Sequence, residues 1–165
     1  MLRISKIIDY GTLVLTHMAG CPERVFSAAD LATTLGLGQP TVSKVLKLLG
    51  QRGLVKSSRG PRGGYVLGRC ATEISIAQII DALEEQPFGL TECSATPGAC
   101  SVEAGCHLRT NWQRINAIVR RTLEDVSVAD MVRPTPIELP SHAQSVSEPG
   151  GRTIVARPMT WSLHK

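Results

Sequence analysis

Three cysteines in one short segment are the residues of this sequence best suited to chemistry. Cys93, Cys100 and Cys106 follow a C-x6-C-x5-C spacing within ECSATPGACSVEAGCH, a segment rich in small and turn-forming residues. Clustered thiols commonly form a disulfide, a zinc site or an iron–sulfur site. Because the segment has neither helical nor strand periodicity, we predict that a loop carries the three thiols.

The number and the spacing of the cysteines discriminate between these three sites. The chain has five cysteines and no pattern of a secretory signal, which predicts a reducing cytoplasm and disfavours disulfides. Structural zinc sites usually contain ligand pairs two residues apart, and this segment has none. Wider spacing in a flexible loop suits a larger inorganic cluster. Cys21 and Cys70 lie far from the loop, and we expect them to be small, partly buried thiols.

Positive charge is concentrated in the first part of the chain. Residues 1–69 contain ten Lys and Arg against three Asp and Glu, whereas residues 70–133 contain five against nine. This asymmetry favours a polyanionic partner such as nucleic acid for the basic part. No run of 18 apolar residues is present, so we expect no membrane span. The sequence contains no nucleophile–base arrangement or phosphate-binding loop, and we do not expect an enzyme.

Three amphipathic helices are predicted at the start of the chain. Apolar residues recur at helical spacing over roughly residues 2–19. Ser27 is a suitable N-cap for the second helix, with Asp30 completing a capping box, and Gly36 ends it. The third helix, in QPTVSKVLKLLGQRG, tolerates Pro40 in its first turn. Two helices joined by a short glycine-containing turn, the second with a polar and basic outer face, are typical of a helix-turn-helix.

A basic β-hairpin follows the third helix. Residues 54–58 and 65–67 read as short strands around a tip at residues 60–64, and a hairpin in this position is a wing. The alternative is an ordinary helical hairpin with solvated lysines, but the wing and the local charge favour DNA binding. The predicted DNA contacts are Gln39, Thr41, Ser43, Lys44 and Lys47 on the third helix, and Arg59 and Arg62 at the wing tip.

The second half of the chain reads as two helices on either side of the cysteine loop. One helix follows Thr72 and is ended by Pro87, and a long one begins near Leu108, with an apolar stripe from Trp112 to Val126. A helix this long needs a partner surface, and we predict a homodimer. The fold class is mainly α with a small β-wing. The predicted parts are a winged helix-turn-helix domain (1–86), a cluster-binding loop (87–107), a dimerisation helix (108–133) and a disordered tail (134–165).

The order of these elements resembles the iron–sulfur winged-helix regulators of the IscR and NsrR type. SKIIDYGTLVL, PTVSKVLKLL and RGPRGGY look most like the subgroup that regulates the SUF iron–sulfur assembly system. The resemblance covers about residues 1–133 and leaves the tail unexplained. It implies that the chain is a repressor of iron–sulfur assembly genes that binds a double-stranded operator.

The resemblance also implies a ligand set for the cluster. Cys93, Cys100 and Cys106 would bind it through thiolates. Where IscR-like members have a histidine ligand this chain has Arg109, which cannot be a ligand. NsrR-like members use an acidic residue of the first helix from the other subunit, and Asp9 matches that position. We rank Asp9 first as the fourth ligand, His107 second and Glu103 third.

Several alternatives remain open at this point. The cluster is expected to be of the 2Fe–2S type, with 4Fe–4S as the other possibility. The signal could instead be nitric oxide, iron or redox stress. A zinc-stabilised interaction module or a cluster carrier is the alternative from another class, although a carrier would have little use for a basic wing.

Overall fold

Helices dominate the fold, and one two-stranded antiparallel sheet follows the third of them. The computed structural model describes residues 4–58, 60 and 63–133. The mainly α fold class with a small β-wing is confirmed. The elements in chain order are α1 (Lys6–Ala19), α2 (Ala28–Leu35), α3 (Gln39–Gln51), β1 (Val55–Ser58), β2 (Gly64–Leu67), α4 (Ile76–Leu83), α5 (Glu92–Ala95), α6 (Arg109–Asp125) and α7 (Val128–Val132), with short 3-10 helices at Ala71–Glu73 and Glu103–Gly105.

The helix-turn-helix forms where local sequence signals predicted it. The Ser27 hydroxyl accepts a hydrogen bond from the Asp30 amide at 3.0 Å, and the Asp30 carboxylate accepts one from the Ser27 amide. These two bonds satisfy amides that would otherwise lack partners at the start of α2. Gly36 ends α2 with φ of +66°, a left-handed conformation that glycine adopts without steric cost. The turn to α3 is therefore short.

The wing is anchored to the segment in front of α2. Strand β1 pairs with β2 so that Val55 lies opposite Leu67. Phe26 and Tyr65 then exchange two backbone hydrogen bonds, of 3.0 and 2.7 Å, which attach the far side of β2 to the chain before α2. The predicted tip residues Arg59 and Arg62 lie outside the described residues.

One hydrophobic core joins the helix-turn-helix, the base of the wing and α4. Helix α1 packs against α2, α3, α4, α7 and β2. Burial of the apolar faces of these elements supplies most of the stability of such a small domain. The side chains that are almost fully buried include Val14, Leu15, Met18, Phe26, Leu31, Val42, Val45, Leu46, Leu49, Leu54, Ile74 and Ile79.

The long helix is shorter than predicted. Helix α6 ends at Asp125, and residues 108–133 are two helices because Ser127 caps a new one, accepting a hydrogen bond from the Asp130 amide. The Ile76 amide donates to Val126 (2.9 Å) and the Val128 amide donates to Ile74 (2.8 Å), which ties this junction to the start of α4. Helix α7 then packs against α1 and belongs to the winged-helix unit. The predicted tail, 134–165, lies outside the described residues.

Candidate nucleic-acid interface and cysteine loop

The outer face of α3 presents most of the predicted DNA contacts to solvent. Gln39, Ser43, Lys44 and Lys47 are exposed, and Thr41 is half-buried. The opposite face of the same helix is buried in the core through Val42, Val45, Leu46 and Leu49. Because this burial fixes the rotation of α3, the polar face is held outward as a recognition helix requires. Exposed lysines on it can contact phosphates, and the polar side chains of its first turn can reach base edges.

The three cysteines lie on a loop that is ordered by short helical turns. Cys93 is buried in α5, whereas Cys100 and Cys106 are half-buried. The Thr91 hydroxyl lies 3.3 Å from the Cys93 sulfur and 2.7 Å from the Ser94 hydroxyl. The loop was predicted to be irregular, and α5 and the 3-10 helix at Glu103–Gly105 differ from that prediction. Turns this short show no periodicity in sequence.

The loop is attached directly to α6. Helix α5 packs on α6, and the Leu90 amide donates a 3.1 Å hydrogen bond to the Asn116 side-chain oxygen. At the other end of the loop, the Arg109 amide donates to the Cys106 carbonyl at 3.3 Å. A conformational change in the loop would therefore alter contacts with the first turns of α6.

The donor set of the loop fits an iron–sulfur cluster in its chemistry. Three thiols on one segment are the ligand type that such clusters use. Among residues 4–58, 60 and 63–133, however, no group of three His, Cys, Asp or Glu side chains is placed to hold a metal ion. Binding a cluster would therefore require the loop to close and a further ligand to approach.

The three candidates for the fourth ligand lie in different environments. Asp9 is exposed on α1, and His107 is exposed next to Cys106. Glu103 is buried, and its carboxylate is engaged by the Arg109 guanidinium at 2.8 Å. Within the described part of one chain, none of the three joins two cysteines in a group that could hold a metal ion.

Cys21 and Cys70 are exposed, and the prediction that they are partly buried is wrong. Both lie at the surface outside helices and strands, Cys21 just after α1 and Cys70 just before the 3-10 helix at Ala71–Glu73. The Thr72 hydroxyl donates a 3.1 Å hydrogen bond to the Cys70 sulfur, and this bond lowers the pKa of the Cys70 thiol.

Sequence reasoning missed two ion pairs that organise the second half of the chain. Arg109 pairs with Glu103 inside the cysteine loop, and Arg120 on α6 pairs with Asp81 on α4. Arg109 is the first residue of α6, where a positive charge opposes the helix dipole, so the sequence did contain a hint of a nearby acid. The Arg120–Asp81 pair joins residues far apart in sequence, and no local pattern indicates it.

Comparison with known proteins agrees with this geometry. The Rrf2 family, described as an iron-dependent transcriptional regulator, matches residues 4–134. CymR, the global cysteine regulator of B. subtilis, is 30% identical, with a TM-score of 0.63 over 82% of this chain and 99% of that chain. T. potens IscR is 26% identical, with a TM-score of 0.62 over 81% of this chain and 88% of that one.

A third solved structure supports the same relationship. S. aureus CymR is 25% identical, with a TM-score of 0.60 over 78% of this chain and 97% of that one. Among the described residues, no helix is both long and apolar enough to cross a membrane. The chain belongs to the Rrf2 family of transcriptional regulators, as a winged-helix regulator of the IscR and NsrR type and not an enzyme.

Proposed function

We propose that this chain is a homodimeric, DNA-binding repressor of iron–sulfur assembly genes whose operator affinity depends on an iron–sulfur cluster. The observation that carries the proposal is the three-thiol loop at the start of α6, the helix that also packs on α4 of the winged-helix unit. A sensor joined in this way to a DNA-binding domain can change the geometry of that domain.

Cys93, Cys100 and Cys106 would hold the cluster through their thiolates, and Asp9 of a second copy would be the fourth ligand. Asp9 is exposed, so it is available to another chain. His107, also exposed, is the alternative. When bound, a cluster supplies a redox-active centre that is sensitive to iron supply and oxidants, and we favour the 2Fe–2S type over 4Fe–4S.

The apolar stripe of α6 supports the homodimer. Leu108, Trp112, Ile115 and Ile118 are between 39% and 59% exposed, and they lie on one side of the helix. In a single chain these large apolar side chains face water. A second copy that packs the same stripe against this one would bury them symmetrically. Two recognition helices would then contact two half-sites of one operator.

The coupling between loop and operator is a population shift. The closed loop and its fourth ligand hold α6 in one position relative to α4, and α4 packs directly on α3. An open loop releases that constraint and changes the spacing of the two recognition helices. Operator affinity therefore differs between the two states of the loop.

A second candidate function is a regulator of the same fold that responds to a thiol metabolite. It is favoured by the 30% identity to CymR, whose name describes a cysteine regulator. In that case the chain would bind DNA in the same way, but its loop thiols would hold no iron. Nitric oxide, iron status and redox stress are alternative signals for the cluster-containing form.

The decisive experiment is anaerobic purification followed by absorption and EPR spectroscopy. We expect a coloured protein whose spectrum is lost when Cys93, Cys100 or Cys106 is replaced by Ala, whereas Cys21→Ser, a matched change at an exposed cysteine outside the loop, keeps it. Asp9→Ala should destabilise the cluster without unfolding the protein. A colourless protein with bound zinc would contradict the proposal, and iron-free protein whose operator affinity responds to a thiol metabolite would favour the second candidate.

A further inference from the structure

Glu103 is a buried charged residue in the middle of the cysteine loop. Its side chain is 9% exposed. One carboxylate oxygen lies 2.8 Å from Nη2 of Arg109, and the other accepts a 2.7 Å hydrogen bond from the Gly98 amide. Charged side chains are rarely buried unless they are paired, and the two partners here lie on either side of Glu103 in sequence, Gly98 before Cys100 and Arg109 after Cys106.

The backbone of Glu103 connects the two half-buried cysteines. Its amide donates to the Cys100 carbonyl at 3.1 Å, and its carbonyl accepts from the Cys106 amide at 3.3 Å. The Arg109 amide in turn donates to the Cys106 carbonyl, also at 3.3 Å. All of these hydrogen bonds join residues within the segment 98–109. Glu103 therefore links the Cys100 side of the loop to the Cys106 side and to α6.

We propose that Glu103 and Arg109 form a clip that positions Cys100 and Cys106, and that Glu103 is a positioning residue and not the fourth ligand. The existence of the clip does not depend on the proposed function, whereas its role beside the cluster ligands rests on that function. Both carboxylate oxygens of Glu103 already have strong partners, and a metal would have to displace the Arg109 guanidinium or the Gly98 amide from one of them.

The two members of the clip differ in exposure, and the difference predicts unequal effects of their removal. The Arg109 side chain is 42% exposed, against 9% for Glu103. Loss of Arg109 leaves a buried carboxylate with the Gly98 amide as its remaining partner among the described contacts, which is costly. Loss of the charge in Glu103→Gln leaves an arginine whose side chain is partly exposed to water, although its Nε is buried, and the amide oxygen can still accept from Gly98. Arg109→Ala should therefore loosen the loop more than Glu103→Gln.

The first test uses the full-length, cluster-free chain and measures amide hydrogen exchange at Gly98, Glu103, Cys106 and Arg109. Arg109→Ala should speed exchange of the Gly98, Glu103 and Cys106 amides by on the order of tenfold, since local opening controls their protection. Glu103→Gln should have a smaller effect, and Arg109→Lys should restore part of the protection. The double variant should be no worse than Arg109→Ala, because the pair acts as a unit.

Matched controls separate the clip from a general effect of charge. Arg114→Ala removes an exposed arginine from the same helix, and Glu92→Gln removes an exposed carboxylate from α5. Neither should change exchange at the four amides. An Arg109→Ala chain that keeps its thermal unfolding midpoint but exchanges these amides at the original rates would overturn the clip.

The second test uses the cluster-loaded protein. In Arg109→Ala and Glu103→Gln, the absorption and EPR spectra should be unchanged while a chelator removes iron several-fold faster. A spectral change in Glu103→Gln that is absent from Arg109→Ala would make Glu103 a ligand and overturn the positioning role. If the wild-type chain binds no cluster, the proposed function fails, whereas the exchange experiment still decides whether the clip exists.

Discussion

Arg120 on α6 forms a bidentate ion pair with Asp81 on α4, in which Nη1 donates to Oδ1 at 2.7 Å and Nη2 donates to Oδ2 at 2.6 Å. Its Nε also donates to Glu124 at 2.8 Å, and the guanidinium carbon lies 5.8 Å from the Phe88 ring centre. The bonds to Asp81 and Glu124 raise the pKa of Arg120. A two-point contact fixes orientation as well as distance, so this pair restrains how α6 can turn on α4.

Arg120→Lys should weaken this restraint although it keeps the charge, because an ammonium group cannot make the parallel pair of bonds. The side chains of Arg120 and Asp81 are 28% and 44% exposed, so solvent screens the pair. We expect a coupling free energy of about 0.5–1 kcal/mol in a double-mutant cycle of Arg120→Ala and Asp81→Asn, measured by urea unfolding. A coupling free energy of zero would show that the Arg120–Asp81 pair does not stabilise the packing of α6 on α4.

Lys44 and Lys47 are expected to contact DNA phosphates. Replacing either by Ala should weaken operator binding and lower the slope of log affinity against log salt by about one for each lysine. Fluorescence anisotropy between about 50 and 200 mM salt measures that slope. Arg121→Ala is the matched control, since it removes one exposed positive charge from α6. An equal loss of slope in the control would indicate a general effect of net charge.

Ile115 is 43% exposed in the apolar stripe of α6. A charge buried in a symmetric interface would be repeated on both copies without a partner, so Ile115→Glu should convert the dimer to monomer. Sedimentation velocity measures the change. Ala117→Glu, an exposed position on the opposite side of α6, should leave the dimer intact. A wild-type chain that sediments as a monomer, or an Ile115→Glu chain that remains dimeric, would contradict the role of this stripe.

The sequence predicted those parts of the fold whose determinants lie close together along the chain. Ser27, Asp30 and Gly36 specify α2 by local hydrogen bonds and a local backbone conformation, and the structure agrees. The end of α6 was missed because Val126 continues the apolar stripe. The junction is decided by hydrogen bonds to Ile74 and Ile76, about fifty residues away in sequence.

The candidate site likewise contains residues that the sequence identifies and residues that only the fold identifies. The three thiols and the outward face of α3 are visible as residue types and spacing. The burial of Glu103 is not, because a glutamate among small residues reads as solvated until the fold brings Arg109 and Gly98 around it. Prediction from one sequence therefore finds the groups that could do chemistry more readily than the groups that hold them in position.

Asp130 makes the stability of the α6–α7 junction depend on pH. Its carboxylate accepts hydrogen bonds from the hydroxyl and the amide of Ser127, at 2.6 and 2.8 Å, which lowers the pKa of Asp130. A carboxyl whose pKa is lowered by folding stabilises the fold above its ordinary pKa, and this contribution is lost as the pH falls through the lowered value. Urea midpoints of wild type and Asp130→Asn should therefore converge below about pH 4. A constant difference across that range would contradict the assignment.

Cys70 is an exposed thiol whose pKa is lowered by a hydrogen bond from the Thr72 hydroxyl, and this bond should affect its rate of alkylation. The Thr72 hydroxyl stabilises the Cys70 thiolate, so Thr72→Val should shift the alkylation profile of Cys70 to higher pH. Mass spectrometry of the Cys70 and Cys21 peptides after iodoacetamide treatment measures both profiles in one sample. Cys21 serves as the internal control, and a shift at both cysteines would refute the role of Thr72.

Helix α6 is a rod of 17 residues, about 25 Å long, that begins at Arg109, whose amide donates to the Cys106 carbonyl, and ends just before α7. Asp81 on α4 contacts this helix at Arg120, five residues before its C-terminal end. A rod held at Arg120 is a lever with an arm of about 16 Å towards the cysteine loop and an arm of about 8 Å towards α7, so a tilt of about 5° moves the loop end by about 1.4 Å and the far end by about 0.7 Å in the opposite direction. A displacement of the two half-buried thiols would thus reach the α6–α7 junction at about half its size and in the opposite direction.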